Sequence, residues 1–322
     1  MKILVLGAGG IGGYFGGRLA EAGVDTTFLV RPKRREQLAQ DGLLVESPLG
    51  NVKLAVKTVT AEQLHAPAPV EEGSEEGGYD FVLFTCKAYD LDSAVDAIAP
   101  AMRGGATVVP MLNGISHFER LDARFGKGNV LGGTCQINAT LRRDGTVVHG
   151  DPLQKMIFGE RDRTKSARAQ SFATAVGSSK IDGQLSEDIE QDLWEKVVFL
   201  SALAATTTLF RGNVREIMAA PGGREAMERV LAANVEIAKA EGHAPRDIAI
   251  DRARKRLTDP EGLWSASMLR DLEGGGQVEA EHVVGYMLAL ARKHGVDDTV
   301  LGLAYTHLKA YEARRAADRL PG

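Results

Sequence analysis

The chain has only two cysteines in 322 residues, Cys86 and Cys135. Both close apolar runs, with no CxxC pair and no histidine-rich neighbourhood. That count and spacing exclude a disulfide framework and leave two reduced thiols, with no metal site expected. No apolar run approaches the ~20 residues needed to cross a bilayer. The opening residues pass straight into a strand, without the charged and then apolar pattern of a signal peptide. A cytoplasmic protein without a membrane role is therefore expected. Charge of one sign is also scarce: 39 Lys and Arg stand against 43 Asp and Glu, a net −4. Bulk attraction to nucleic acid or to an anionic membrane is excluded on that balance. No internal repeat is evident. What remains, 44% hydrophobic and 25% charged residues, is the composition of a globular chain long enough for two domains.

The informative stretch is the first one. A short apolar run, residues 3–6, reads as a buried strand and enters Gly7-Ala8-Gly9-Gly10-Ile11-Gly12 directly. A helical pattern follows, with Ile11, Phe15, Leu19 and Ala22 recurring every three or four residues until Gly23. Strand, tight turn and helix are the context in which GxGxxG binds a dinucleotide. Gly7 permits the turn, Gly9 lets the backbone approach a pyrophosphate, and Gly12 brings the helix close to the strand. The N–H groups and positive dipole at the helix start then favour phosphate.

The end of the second strand, residues 25–30, selects among dinucleotides. An NAD site carries a carboxylate there for the ribose 2′-hydroxyl. Here the sequence reads Val30-Arg31-Pro32-Lys33-Arg34-Arg35, with four cations and no acid. A guanidinium pairs with phosphate in fork geometry, so the expected cofactor is NADPH. Arg31 is expected under the 2′-phosphate, assisted by Lys33, Arg34 or Arg35.

Further along, residues 43–45 and 52–56 flank a Pro/Gly turn and read as a hairpin. Residues 66–78 are rich in Pro, Glu, Gly and Ser and read as a surface loop. Residues 81–85 form a continuously apolar strand, as a central parallel strand does. It ends in Cys86-Lys87-Ala88-Tyr89-Asp90, and a helix over 91–102 follows. Ligands lie beyond the carboxyl ends of such strands, which places Lys87 within reach of a cofactor. The next strand, 107–112, ends in Asn113-Gly114, so Asn113 is placed toward cofactor ribose and substrate alike; its alternative is a turn residue. Residues 130–137 and 145–159 read as strands, the second with a turn at Gly150-Asp151-Pro152. From Thr164 the pattern becomes helical apart from a short stretch at 180–184. The predicted helices cover 166–176, 187–207, 223–241, 245–256, 280–294 and 298–315. The fold class is thus α/β: an N-terminal Rossmann-type doubly wound sheet, residues 1–163, followed by an all-helical C-terminal domain, residues 164–322. The active cleft is expected between these halves.

Two residues are candidates for chemistry. Lys196 shares a helix face with Leu193, Leu200 and Leu203. A lysine on an apolar stripe either snorkels to water or sits in a partly dry cleft, where it gives up its proton more readily. In the second case it is a general acid for a carbonyl oxygen gaining charge. Glu279 follows Gly274-Gly275-Gly276 and begins a long helix, where the dipole favours a carboxylate. Upstream, Ser265 reads as a helix cap, with Ser267 inside the first turn.

Taken in order, Gly7 to Gly12, Arg31, Lys87-Ala88-Tyr89, Asn113-Gly114, Leu193-Trp194-Glu195-Lys196, Ser267-Met268-Leu269-x-Asp271 and Glu279 resemble the ketopantoate reductase (2-dehydropantoate 2-reductase) family nearly end to end. The resemblance implies NADPH-dependent reduction of a 2-keto acid, ketopantoate to pantoate on the route to pantothenate and coenzyme A. It implies Lys196 as general acid and Glu279 orienting the substrate or the lysine. Asn113 and Ser267 become substrate contacts, and Arg31 and Lys87 cofactor contacts. A homodimer is a family-level expectation. The sequence departs from the family four and eight residues after the lysine, where Leu200 and Ala204 stand in place of asparagines. The family's Glu-x-Asp…Asn helix start reads Glu279-Ala280-Glu281…Val284. Loss of such polar groups alters substrate discrimination. Two alternatives stand beside ketopantoate: a different, bulkier or more apolar 2-keto acid, and a non-catalytic NADP(H)-binding sensor.

Overall fold

The computed structural model describes residues 1–65 and 78–320. The stretch 66–78, expected as a surface loop, lies outside these residues except for Gly78. The chain divides into two compact units, Met1–Leu112 with Phe118–Ile189, and Asn113–His117 with Glu190–Gly322.

The first unit begins β1 (Lys2–Leu6), α1 (Gly10–Glu21), β2 (Asp25–Leu29) and α2 (Pro32–Asp41). The expected hairpin follows as β3 (Leu43–Glu46) and β4 (Val52–Leu54), antiparallel with Val45 opposite Val52. Next come β5 (Lys57–Val59), α3 (Ala61–His65), β6 (Phe81–Phe84), α4 (Leu91–Met102) and β7 (Thr107–Pro110). Five of these strands form one parallel sheet in the order β5-β2-β1-β6-β7. Its central strands are apolar because helices cover both faces; Ile3, Leu4, Val5, Val82, Leu83 and Phe84 are fully buried. The chain winds outward from β1 through β2 and β5, then returns to build β6 and β7 on the other side. The order therefore reverses beside β1, the position where open α/β sheets bind ligands.

A second sheet completes this unit. After α5 (His117–Phe125, with His117 itself in the second unit) come β8 (Gly132–Leu141), β9 (Val147–Gly159), α6 (Ala167–Gly177) and β10 (Asp182–Leu185). The turn expected at Gly150-Asp151-Pro152 is instead a bulge inside one strand. Strand β8 pairs with β9 on both sides of it, and the register slips between Ile137 and Ala139. The Asp151 carboxylate accepts the Leu153 N–H there, so the extra residues are held without breaking the ladder. Strand β10 pairs in parallel with β9, Asp182 beside Lys155. That pairing ties residues 164–189, which the sequence groups with the helical half, to the first unit.

The second unit is helical: α7 (Ile189–Phe210, with Ile189 itself in the first unit), α8 (Val214–Ala219), α9 (Gly223–Ala240), α10 (Asp247–Leu257) and α11 (Ser267–Glu273). A π-helical turn at Glu281–Gly285 leads into α12 (Tyr286–His294), and α13 (Thr299–Ala316) follows. Helix α7 has the length and mean hydropathy (1.3) of a membrane span, yet 67% of its most apolar window is buried within the structure, as in a core helix. Three of its buried hydroxyls are satisfied internally, Thr206, Thr207 and Thr208 each donating to the carbonyl four residues back. The short α8 is fixed by a capping box between Asn213 and Glu216. The cap of α11 is Ala266 rather than Ser265, and Ser267 is the first helical residue.

Candidate active site

A cavity of about 480 Å³ opens at the carboxyl ends of β1, β2 and β6, lined among others by Gly7, Ala8, Gly9, Val30, Arg31 and Thr85. The glycine loop forms its floor. Gly7 has φ +90°, a conformation that disfavours any side chain. Behind it the Thr85 hydroxyl donates to the Leu6 carbonyl at 2.6 Å, pinning β6 to the end of β1. A Cβ on Gly12 would meet Gly7 O at 2.3 Å and Thr85 Oγ1 at 2.4 Å, so α1 can approach the strand only with glycine there. Gly9 is different: it lies in extended backbone at φ −85°, and a Cβ would meet no protein atom within 4 Å. The fold does not need glycine at this position, whereas a ligand approaching the backbone does. Helix α1 has no acidic residue in its first turn and no side-chain cap. Its first N–H groups have no acceptor within the helix, and an anion suits them. Open backbone, helix start and nearby guanidiniums together fit a dinucleotide phosphate.

The four expected cations separate by role. Arg31 lines the cavity, is 81% exposed, and bonds the Asp90 carboxylate at 3.0 Å. Arg34 also lines the cavity but is committed to structure: it donates to Ala8 O, to Gly145 O and to Gln37 Oε1. Burial pushes its guanidinium below the ordinary arginine value. It thereby holds the glycine loop by the Ala8 carbonyl. Lys33 and Arg35 are exposed and do not line the cavity. Lys87 stands at the start of a single helical turn, Ala88–Asp90, half-buried between the lining residues Cys86 and Asp90.

The second unit assembles the other candidates. Lys196 is half-buried on α7, and its Nζ donates to Asn113 Oδ1 at 3.2 Å. Asn113 follows β7 but belongs to the second unit through the short segment Asn113–His117. The same segment meets the π-helical turn: Ser116 Oγ contacts His282 Nδ1 at 3.2 Å and donates to the His282 carbonyl. Gly114, at φ +79°, packs so closely that a Cβ would meet His282 O at 2.8 Å. Glu279 stands three residues before His282 and is only 7% exposed. Ser267 is half-buried at the start of α11. Leu200 and Ala204 follow Lys196 on α7, half-buried and buried respectively.

Two neighbours of Lys196 serve the helix. Trp194 stacks on His243, ring centroids 5.3 Å apart. Glu195 accepts from the Arg246 backbone and guanidinium and from Gln191. Burial alone would raise the Glu195 carboxyl, but those bonds hold it below the usual carboxylate value. This anchoring of α7, the Ser116–His282 contact and the Arg31–Asp90 pair escape sequence reading. Of the three only Asp90 carries a signal, because it ends a loop that follows a central strand.

The family model described as ketopantoate reductase PanE/ApbA matches residues 3–163, and that for the family's C-terminal part matches residues 188–312. The oxidoreductase YkpB of Bacillus subtilis is 35% identical over 98% of this chain and 100% of its own. Among solved structures, 2-dehydropantoate 2-reductase of Geobacter metallireducens is 25% identical, with a TM-score of 0.83 over 96% of this chain and 99% of its own. D-mandelate dehydrogenase, solved with NADH and anilino(oxo)acetate, shares the fold at a TM-score of 0.84 and 20% identity, over 98% of this chain and 100% of its own.

Proposed function

The chain belongs to the ketopantoate reductase family of oxidoreductases, and from that premise we propose that it reduces a 2-keto acid to the 2-hydroxy acid with NADPH, 2-dehydropantoate to pantoate being the first substrate to test. The observation that carries this proposal is the half-buried Lys196 ammonium bonded to Asn113. Nucleotide binding alone has no use for that pair, whereas a carbonyl oxygen gaining charge needs a proton donor. The glycine loop, the start of α1, Arg31 and Lys87 would hold the cofactor, which supplies a hydride when bound. Lys196 gives its proton to the oxygen of the former carbonyl, and Asn113 keeps the ammonium aimed by accepting one of its N–H bonds. The Ser267 hydroxyl and Asn113 amide bind substrate oxygens, and the Glu279 carboxylate orients the lysine or the substrate.

A second reading is favoured by Leu200 and Ala204. Apolar side chains at these places bind no substrate oxygen and suit a more apolar substrate. The D-mandelate dehydrogenase neighbour was solved with anilino(oxo)acetate, so aryl-bearing 2-oxo acids belong in the substrate panel. The test is NADPH consumption, followed by absorbance, with 2-dehydropantoate and with bulkier 2-keto acids. Lys196→Ala is expected to lower kcat by about 10²- to 10⁴-fold while NADPH binding is retained. Binding of NADPH without turnover of any acid would identify a sensor instead.

A further inference from the structure

We infer that Asp90 sets the choice between NADPH and NADH, acting as a built-in competitor of the ribose 2′-phosphate for Arg31. This inference rests on the proposed binding of a nicotinamide nucleotide in the first unit. Asp90 occupies the N-cap position of α4, where an aspartate normally accepts the N–H of the first helical turn. Its carboxylate makes no such cap. It bonds the Arg31 guanidinium at 3.0 Å instead, 59 residues away in sequence. The backbone around it is fixed: Asp90 N donates to Lys87 O, and the Asp90 carbonyl accepts from Ser93 Oγ at 2.9 Å. Both Asp90 and Arg31 line the cavity floored by the glycine loop.

The end of β2 thus has no acid in sequence, but it has one in space. A carboxylate there accepts hydrogen bonds from ribose hydroxyls, as NADH presents, and opposes the 2′-phosphate of NADPH. Arg31 has the opposite preference, and the pair together moderates both. The ion pair is exposed, 81% and 39% for its two side chains, so breaking it costs little and a phosphate can displace it. The chain is therefore expected to bind both nucleotides, with a smaller preference for NADPH than Arg31 alone would give. A phosphate dianion and a carboxylate sharing one guanidinium stand about 5–6 Å apart. Their repulsion across water, partly screened at physiological salt, corresponds to roughly 3- to 10-fold in affinity.

The test is calorimetric titration of the full chain, without substrate, with NADPH and with NADH, for wild type and Asp90→Asn. The asparagine keeps the shape and the capping ability of the residue and removes its charge. Asp90→Asn is expected to tighten NADPH about 3- to 10-fold and to leave NADH unchanged or weaker, with the difference shrinking as salt is raised. Equal changes for the two nucleotides, or none, would overturn the role of Asp90 alone. Failure of the wild type to bind either nucleotide would overturn the cofactor assignment and this inference with it.

Discussion

Gly9 and Gly12 belong to one loop, yet alanine is expected to damage them in opposite ways. At Gly12 the new methyl would sit 2.3 Å from Gly7 O and 2.4 Å from Thr85 Oγ1. The first is backbone, and Thr85 is held by its own bond to Leu6 O. Neither can give, so α1 must move off β1. Overpacking against backbone that cannot give falls at the upper end of the usual range, about 3 kcal/mol, against which alanine's better helix propensity returns about 1. At Gly9 the methyl meets nothing and the backbone is already extended. Losing glycine at a cap to alanine costs roughly 0.5–1 kcal/mol, and stiffening the unfolded chain returns about 0.4–1, so stability should change by less than ~1 kcal/mol. The methyl would instead occupy the approach of a pyrophosphate. Gly9→Ala should therefore melt like wild type and bind NADPH at least about tenfold more weakly, a loss of ~1.4 kcal/mol. Gly12→Ala should melt several degrees lower. Thermal denaturation followed by dichroism, paired with calorimetric NADPH titration, separates the two. Wild-type affinity in Gly9→Ala, or wild-type melting in Gly12→Ala, would refute the division of labour within the loop.

Asn113→Ala removes the acceptor that aims Lys196, and kcat should fall about tenfold or more, measured by steady-state kinetics. Glu195→Gln should cost about 1 kcal/mol at pH 7, a figure kept small because Arg246 is more than half exposed. The Glu195 carboxyl is held below its unfolded value, so its contribution is present above about pH 4.3 and lost as pH falls through the lower folded value. Urea denaturation should accordingly show the gap between wild type and Glu195→Gln closing on acidification. At His307, burial and then Arg211 push the imidazole below its usual value. The unfolded chain takes up that proton first as pH falls below ~6.5, so the wild type should lose stability there. His307→Leu should flatten the same urea midpoint series between pH 7 and pH 5.

Legibility in the sequence followed locality. The glycine loop, the central strands, α4 and the long C-terminal helices are written in adjacent residues by period and composition, and each stands where expected. The bulge in β9 carried the signature of a turn, because Gly150, Asp151 and Pro152 favour one; only the neighbouring strand β8 converts it into a bulge. Strand β10 has no apolar alternation, since all four of its residues are exposed, and its pairing with β9 supplies the order. The same limit governs the site. Lys196 and Asn113 were each identifiable, but their bond spans 83 residues and no spacing rule predicts it. Arg34 counted as one more cation until its three acceptors, Ala8 O, Gly145 O and Gln37, showed it to be a strut.

What the fold leaves unexplained then points to ligand. A consistent sequence obeys its local rules, and departures without structural return mark functional positions. Gly9 keeps a glycine where the protein has room for a side chain. Asp90 stands at a helix cap and declines to cap it. Lys196 places an ammonium on the apolar stripe of α7, bonded to an amide at the end of a strand rather than turned to water. By contrast Glu195, Trp194 and Arg34 sit equally close to the motifs, and each has a packing or hydrogen-bonding reason that needs no ligand. Proximity to a motif therefore does not identify a site residue; the absence of a structural reason for the residue does. By that criterion Gly9 and Asp90 mark the nucleotide site proposed for the first unit, and Lys196 the proton donor proposed for the second.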